Sequence, residues 1–402
     1  MRDQLRNDDI NFDPHDPKLA ESGVPFDTLA HIRERRTYRT SAGAWYLSRY
    51  DDVAAALTDV EGFRADLGPI TGIPAGVEAI PPEQHYLSEI LEPRHKAIRR
   101  LITASMSSAR LATLEPRLRA ECELLVDAMC AAPVADLHEG YAMAIPAFAM
   151  AHVMDLDEGA AAHFMAWSWD GTLLQRPSSP GVPPQGPSSH VFFADYLARQ
   201  RALPRPSNDL LRLLIEAEVE GAPLGDAEII TQLHFLIQAG VHTTRSLLTH
   251  LYNRLVQDSA LWSALKADRG LIDRFIEESL RRDAPVQRTT RRCMRDTSFA
   301  GVDMRRGEIV EAGIGSANHD ERRYDDARAF RLDRDSPRTH LAFGTGSHIC
   351  PGAALARLEA RTSLEVLLDR VACMEPIAGV TYPPLPGSLG HQPVPARLVP
   401  CA

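Results

Sequence analysis

Phe343-Gly344-Thr345-Gly346-Ser347-His348-Ile349-Cys350-Pro351-Gly352 sets one cysteine inside a glycine-punctuated loop, and the residues that follow, Ala353, Leu355, Ala356, Leu358 and Leu364, carry small and apolar side chains at helical spacing. Pro351 suits a first helical turn, where the unpaired N–H groups and the positive dipole end favour a thiolate over a thiol. Gly344 and Gly346 let the backbone turn tightly and present N–H groups that temper the electron donation of a sulfur ligand. A lone buried cysteine is usually inert packing. The loop, the helix start and a histidine two residues earlier outweigh that reading here, and a thiolate so placed can ligate iron.

Outward from this loop the chain reads as mainly α. Residues 53–59, 94–131, 140–156, 191–202, 208–218, 225–257, 259–282 and 352–371 all carry apolar residues three and four apart. Alternating or β-branched stretches at Trp45–Leu47, Arg288–Cys293 and Glu308–Ala312 predict small peripheral sheets, too few for a central one. The prolines and glycines between Arg176 and Ser189 sustain neither helix nor strand, and this stretch reads as a lid over a binding site or as a linker. Length alone, 402 residues, would allow two or three domains, although large one-domain enzymes reach this size.

The run Asp226–Val256 predicts a helix about 45 Å long that crosses a whole domain. Gly240, Thr243 and Thr244 fall on or beside its apolar stripe, where a glycine and hydroxyls pack poorly. Either something needs space and a hydrogen-bond donor there, or small residues let helices cross while the threonines bond back to carbonyls one turn earlier. The same arithmetic sets His242 on the opposite, polar face.

Bulk properties exclude other classes. A net charge of −10 argues against wrapping nucleic acid or an anionic membrane. The six cysteines contain no C-x-x-C pair, unlike a disulfide framework or a zinc site. The polar, acidic start lacks an apolar signal core, no stretch is long and apolar enough to span a bilayer, and the expectation is a cytoplasmic protein without membrane attachment. No Gly-x-Gly-x-x-Gly dinucleotide signature appears, so electrons for redox chemistry would come from separate proteins.

The loop resembles the cysteine-ligand motif of the cytochrome P450 superfamily, matched at Phe343, Gly344, Gly346, His348, Cys350 and Gly352 and continued by Leu355, Ala356 and Arg357. Glu278-Ser279-Leu280-Arg281 is similar to the family's Glu-x-x-Arg pair, Ala239–Thr244 to its oxygen-binding groove, and His95 with Arg99 to its cation pair facing the haem propionates. The resemblance implies the cytochrome P450 fold as one domain over residues 1–402, with a small β-rich N-terminal part and haem b (iron protoporphyrin IX) between the long helix and the cysteine loop. It implies Cys350 as metal ligand, with His95, Arg99, Arg291 and His348 clamping the propionates and Phe343, Gly344, Gly352 and Ala239 against the cofactor. Gly240, Thr243 and His242 take the catalytic positions, while Glu278 and Arg281 are structural. Leu236, Val286 and Gln287 line the substrate site.

The implied activity is hydroxylation of a lipophilic or aromatic small molecule with O2 and two electrons from a ferredoxin and its reductase, since thiolate donation favours O–O cleavage. Peroxide-driven oxygenation or oxidative cross-linking is a second reading, and a non-catalytic haem protein a third. An excess of cations between Arg94 and Arg119, with Lys96, Arg99, Arg100, Arg110 and Arg117 against Glu115, suits an acidic docking partner. Two positions depart from the family's pattern. His242 stands where most members have Asp or Glu, and an imidazole titrating near neutrality would be one replacement for that proton relay. Ala329 stands where many have Arg, leaving Arg328 or Arg331 as substitutes for the third partner of Glu278 and Arg281.

Overall fold

The computed structural model describes residues 10–401 except 17, 20–22, 66–78, 157–158, 180, 206–208 and 383–392. Within these, the chain forms two compact units: one takes in the described residues up to position 65 and Glu277–Cys350, the other those from Ala79 to Ile276 together with Pro351–Tyr382 and the C-terminal strand.

The first unit is built on a five-stranded sheet of β1 (Thr37–Arg39), β2 (Trp45–Leu47), β3 (Phe63–Ala65), β4 (Thr289–Cys293) and β5 (Ile309–Ala312), in the order β1-β2-β5-β4-β3. β5 runs parallel to β2, and every other pairing is antiparallel. The alternation of strand side chains decides what each face carries. Val310 and Ala312 join Leu47, Phe63 and Cys293 in an apolar core that also takes Val53, Ala56 and Leu57 from the helix Tyr50–Thr58. Glu311 points the other way, buried, where Thr290 Oγ1 donates to it and His15 Nε2 lies 2.9 Å from it. The three stretches expected to be strands thus fall in one sheet.

The second unit is helical. Its axis is the helix Asp226–Gln257, 32 residues and about 48 Å long, started by a Glu228 carboxylate that accepts from the Gly225 N–H. Helices Ala144–Val153, Gly159–Trp169, Ser188–Arg201 and Ala353–Arg370 pack around it. A three-stranded sheet pairs Val371–Pro376 with Pro395–Pro400, and the latter with Ala135–Asp136. Two long predicted helices are each divided. Ser107, extended at φ −64° and ψ 156°, separates Arg94–Ser105 from Ser108–Ala131. Asp268 at φ −133°, accepting from the Gly270 N–H, separates Ser259–Ala267 from Leu271–Arg282. Among the described residues no helix is long and apolar enough to cross a membrane.

Candidate active site

The cysteine loop is held by its own backbone. Cys350 N–H donates to Phe343 O at 2.8 Å, Ile349 N–H to Gly346 O at 3.2 Å and Gly344 N–H to Leu341 O at 2.8 Å. Gly344 and Gly346 have φ of 69° and 73°, the left-handed region that side chains disfavour. A Cβ on Gly346 would also lie 3.2 Å from Thr58 Cα, so this glycine serves both the turn and the close approach to the helix Tyr50–Thr58. Cys350, Phe343 and His348 remain half-buried. Gly352 follows at φ −86°, ψ 5°, as the residue preceding the helix Ala353–Arg370.

In the same unit Arg291 is buried, and its Nη1 donates to Thr289 Oγ1 at 2.8 Å and Thr290 O at 2.9 Å. Among the described residues no carboxylate lies within ion-pair distance of it, and burial pushes its guanidinium down to about 10, with Glu311 opposing from a distance. A buried cation with no ion partner is costly unless an anionic group arrives. This, with a half-buried sulfur on a two-glycine loop, fits a flat iron-bearing group with carboxylates.

Glu278 and Arg281 form a buried bidentate pair at 2.7 and 2.8 Å. The third partner is neither substitute suggested by sequence. Arg334 Nε donates to both Glu278 oxygens at 2.9 and 3.0 Å, while Arg328 pairs with Asp27 and Arg331 with Asp333. Arg331 contributes only its backbone N–H to Glu278, at 2.9 Å. Arg281 also donates to the carbonyls of Asn318, Ala327 and Ala329, so position 329 takes part through its backbone. Burial alone would raise the Glu278 carboxyl; hydrogen bonds and charge from Arg281, then Arg331 and Arg334, hold it below its ordinary value. Val286 packs on the core of this unit, and the Gln287 amide is spent on Ala284 O at 2.8 Å.

On the long helix Thr243 Oγ1 donates to Ala239 O at 2.6 Å, the back-bond that the packing alternative anticipated. A Cβ on Gly240 would sit 2.7 Å from Met150 Sδ, so the glycine makes room for a neighbouring side chain. Phe235, Ala239 and Thr243, four residues apart, form a half-buried stripe with Gln238 and Gly240 on a stretch whose other residues from Thr231 to Tyr252 are buried. Leu236 belongs to the buried set, at 4% exposure, while Phe235 is half-buried.

His242 is not on a polar face. It is buried, and a directed chain reaches it: Arg245 Nη1 donates to Ser168 Oγ at 3.2 Å, which lies 3.4 Å from His242 Nδ1. The other ring nitrogen, Nε2, is buried and has no partner among the described residues. Burial, then the Arg245 charge, push His242 down to about 4, so it does not titrate near neutrality.

His95 and Arg99 share one face of Arg94–Ser105; His95 is buried with Nδ1 2.8 Å from Glu92 Oε1, and Arg99 is half-buried. Of the basic run, Arg94 is paired with Glu220 and Glu228, and Arg119 with Glu365 and Asp369. Lys96, Arg100 and Arg117 are exposed.

The profile described as cytochrome P450 matches residues 261–373. Cytochrome P450 107B1 of Saccharopolyspora erythraea is 30% identical over 370 residues, which cover 85% of this chain and 86% of that protein. The erythromycin C-12 hydroxylase of the same organism is 30% identical over 363 residues, 88% of this chain and 89% of that one. Among solved structures, substrate-free CYP150A6 of Mycobacterium marinum aligns with a TM-score of 0.83 at 26% identity, covering 96% of this chain and 98% of that one.

Proposed function

The chain belongs to the cytochrome P450 family of haem-thiolate monooxygenases, and from that premise we propose that it hydroxylates a neutral lipophilic small molecule, with residues 1–402 acting as one catalytic domain. One oxygen atom of O2 enters a C–H bond of the substrate and the other leaves as water, consuming two electrons and two protons. The electrons come from a ferredoxin and its reductase in the cytoplasm. The observation that carries the reading is the Phe343–Gly352 loop, in which two left-handed glycines and the Cys350 N–H bond to Phe343 O present a half-buried sulfur.

Cys350 would ligate the iron of haem b, Arg291, His348, His95 and Arg99 would hold its propionates, and Phe343, Gly344, Gly352 and Ala239 are the other residues assigned to the cofactor. When bound, the haem supplies O–O cleavage and an oxidant strong enough for unactivated carbon. The chain's own residues handle the proton and the substrate. Thr243 Oγ1, its hydrogen committed to Ala239 O, keeps lone pairs that accept a hydrogen bond beside Gly240. His242 stays neutral, and with the Ser168 hydroxyl donating to its Nδ1 it offers an Nε2–H as donor, a reading that the Arg245 bond to Ser168 Oγ supports. It therefore orients and passes a proton by exchange, without acting as a titrating acid. Phe235, Ala239 and Thr243 present an apolar stripe ending in one hydroxyl, which suits a mostly apolar body. Val286 and Gln287, like Leu236, are assigned to the substrate. The erythromycin C-12 hydroxylase, by its name, hydroxylates erythromycin, and we take a substrate of that class as one candidate for this chain. Lys96, Arg100 and Arg117 are the cations left for an acidic electron donor.

The test is turnover of a lipophilic compound panel with ferredoxin, reductase and NADPH against the same panel with peroxide. Oxygenated product with the reductase system and little with peroxide is expected. Product with peroxide alone favours the peroxygenase reading, and no product under either regime removes the monooxygenase assignment.

A further inference from the structure

Tyr86 is 3% exposed and held by two neighbours: the Arg176 guanidinium lies 3.6 Å from its ring centroid, and Phe235 stacks at 4.9 Å with 21° between the planes. Arg176 binds other groups through both terminal nitrogens, while its Nε has no partner among the described residues. Nη2 donates to both Glu89 oxygens at 2.8 and 2.9 Å, and Nη1 to Gln84 O at 2.6 Å. The long helix pins the same segment, Thr231 Oγ1 donating to Glu83 O at 2.9 Å and Gln232 Nε2 to His85 O at 2.8 Å. His234, stacked 6.0 Å from Tyr86, has its Nδ1 2.8 Å from Ser189 Oγ. His190 lies 4.6 Å from His234, ring to ring.

Amid this bonding, five buried polar atoms of the cluster have no partner among the described residues: Tyr86 Oη, Arg176 Nε, His190 Nδ1, Gln232 Oε1 and His234 Nε2. Folded proteins rarely leave such groups unpaired, and the segment around them is too firmly pinned for a casual gap. Tyr86 stacks on Phe235, the first residue of the half-buried stripe that runs through Ala239 to Thr243.

We propose that the Tyr86 hydroxyl, with His190 nearby, is a specificity anchor that hydrogen-bonds an uncharged oxygen of the substrate, a ketone, hydroxyl or ether carried on an apolar body. The assignment of an uncharged oxygen follows from the charges present. Glu89 already meets the Arg176 charge, and burial then Arg176 push His190 down to about 4, so the cluster offers a carboxylate no net positive charge. A bare hydrocarbon would leave the Tyr86 hydroxyl and its polar neighbours unpaired, so it binds more weakly than its oxygenated counterpart. The inference rests on the monooxygenase reading only for the claim that substrate lies along the Phe235 stripe.

The test uses haem-loaded wild-type enzyme and Tyr86→Phe, which keeps the ring and its stacking. Both are titrated with α-tetralone, tetralin and naphthoate, followed by the shift of the haem absorption band and by calorimetry. The wild type is expected to bind the ketone roughly three- to tenfold tighter than the hydrocarbon, as one hydrogen bond provides, and naphthoate most weakly. In Tyr86→Phe the preference for the ketone is lost. Ligand-free Tyr86→Phe should melt at the wild-type temperature or above it, because the hydroxyl it lacks has no partner to lose. A melting temperature clearly below wild type, a ketone preference that survives the substitution, tighter binding of naphthoate, or binding of none of the three overturns the anchor. A wild type without the thiolate-type spectrum is instead a failure of the monooxygenase reading, so the two are told apart.

Discussion

Arg334→Ala tests whether the buried charge network is arranged as the structure has it. The substitution removes two bonds to Glu278 and three to the carbonyls of Asp325, Asp326 and Ala329. Hydrogen bonds to a charged group contribute about 1.5–3 kcal/mol. Glu278 keeps Arg281, so the full ~3–5 kcal/mol of a broken buried pair is not reached. A loss of roughly 2–3 kcal/mol follows, read as a fall of several degrees in the thermal midpoint. Arg281→Ala leaves Glu278 with Arg334 but removes the buried bidentate pair and three further bonds to carbonyls, and should cost more. Arg328→Ala and Arg331→Ala, whose side chains pair at the surface with Asp27 and Asp333, should leave the midpoint almost unmoved. The pH dependence has a fixed sign. The folded Glu278 carboxyl lies below its ordinary value, so its contribution is complete above the unfolded carboxylate range and is lost as pH falls through the folded value. Arg334→Ala should therefore differ most from wild type near neutrality and least in strong acid. Equal destabilisation by Arg331→Ala, or none by Arg334→Ala, would refute the network.

Gly240→Ala should destabilise alone yet be tolerated beside Met150→Ala, with a coupling of about 1 kcal/mol or more in a double-mutant cycle, because a Cβ there meets Met150 Sδ. Arg291→Met should leave the apoprotein as stable or more so, since the cation has no carboxylate to lose, while haem transfer to apomyoglobin speeds up by about tenfold or more; unchanged haem loss would contradict the clamp. His242→Gln should lower coupled turnover without altering the shape of its pH profile, and a transition near neutrality present only in wild type would show that the imidazole titrates after all.

The parts legible in sequence were those with strict local signatures. Cys350 with Gly344 and Gly346 could be read because positive φ at two loop positions demands glycine, and Asp226–Gln257 because 32 residues keep one periodicity. The helix break at Ser107 carries a cap residue, but the apolar spacing continues across it and masks the stop. The helix Gly159–Trp169 escaped because Ala160, Ala161 and Ala162 show no face contrast, and the strands Val371–Pro376 and Pro395–Pro400 because they find each other only through tertiary pairing. His242 was misplaced for a related reason. Helical arithmetic gives an angle around the axis, and here the helix Gly159–Trp169 covers the far side with Ser168. Arg334, five residues past Ala329, reaches Glu278 through a loop whose path no periodicity encodes.

The central claim is that the Cys350 sulfur binds iron as a thiolate. The absorption spectrum of the reduced carbonyl complex, recorded for wild type and Cys350→Ser, tests it most directly. The wild type should show the red-shifted band of a thiolate-ligated haem, and the serine variant should lose it. Wild-type protein that takes up no haem, or a serine variant with an unchanged spectrum, would contradict the account.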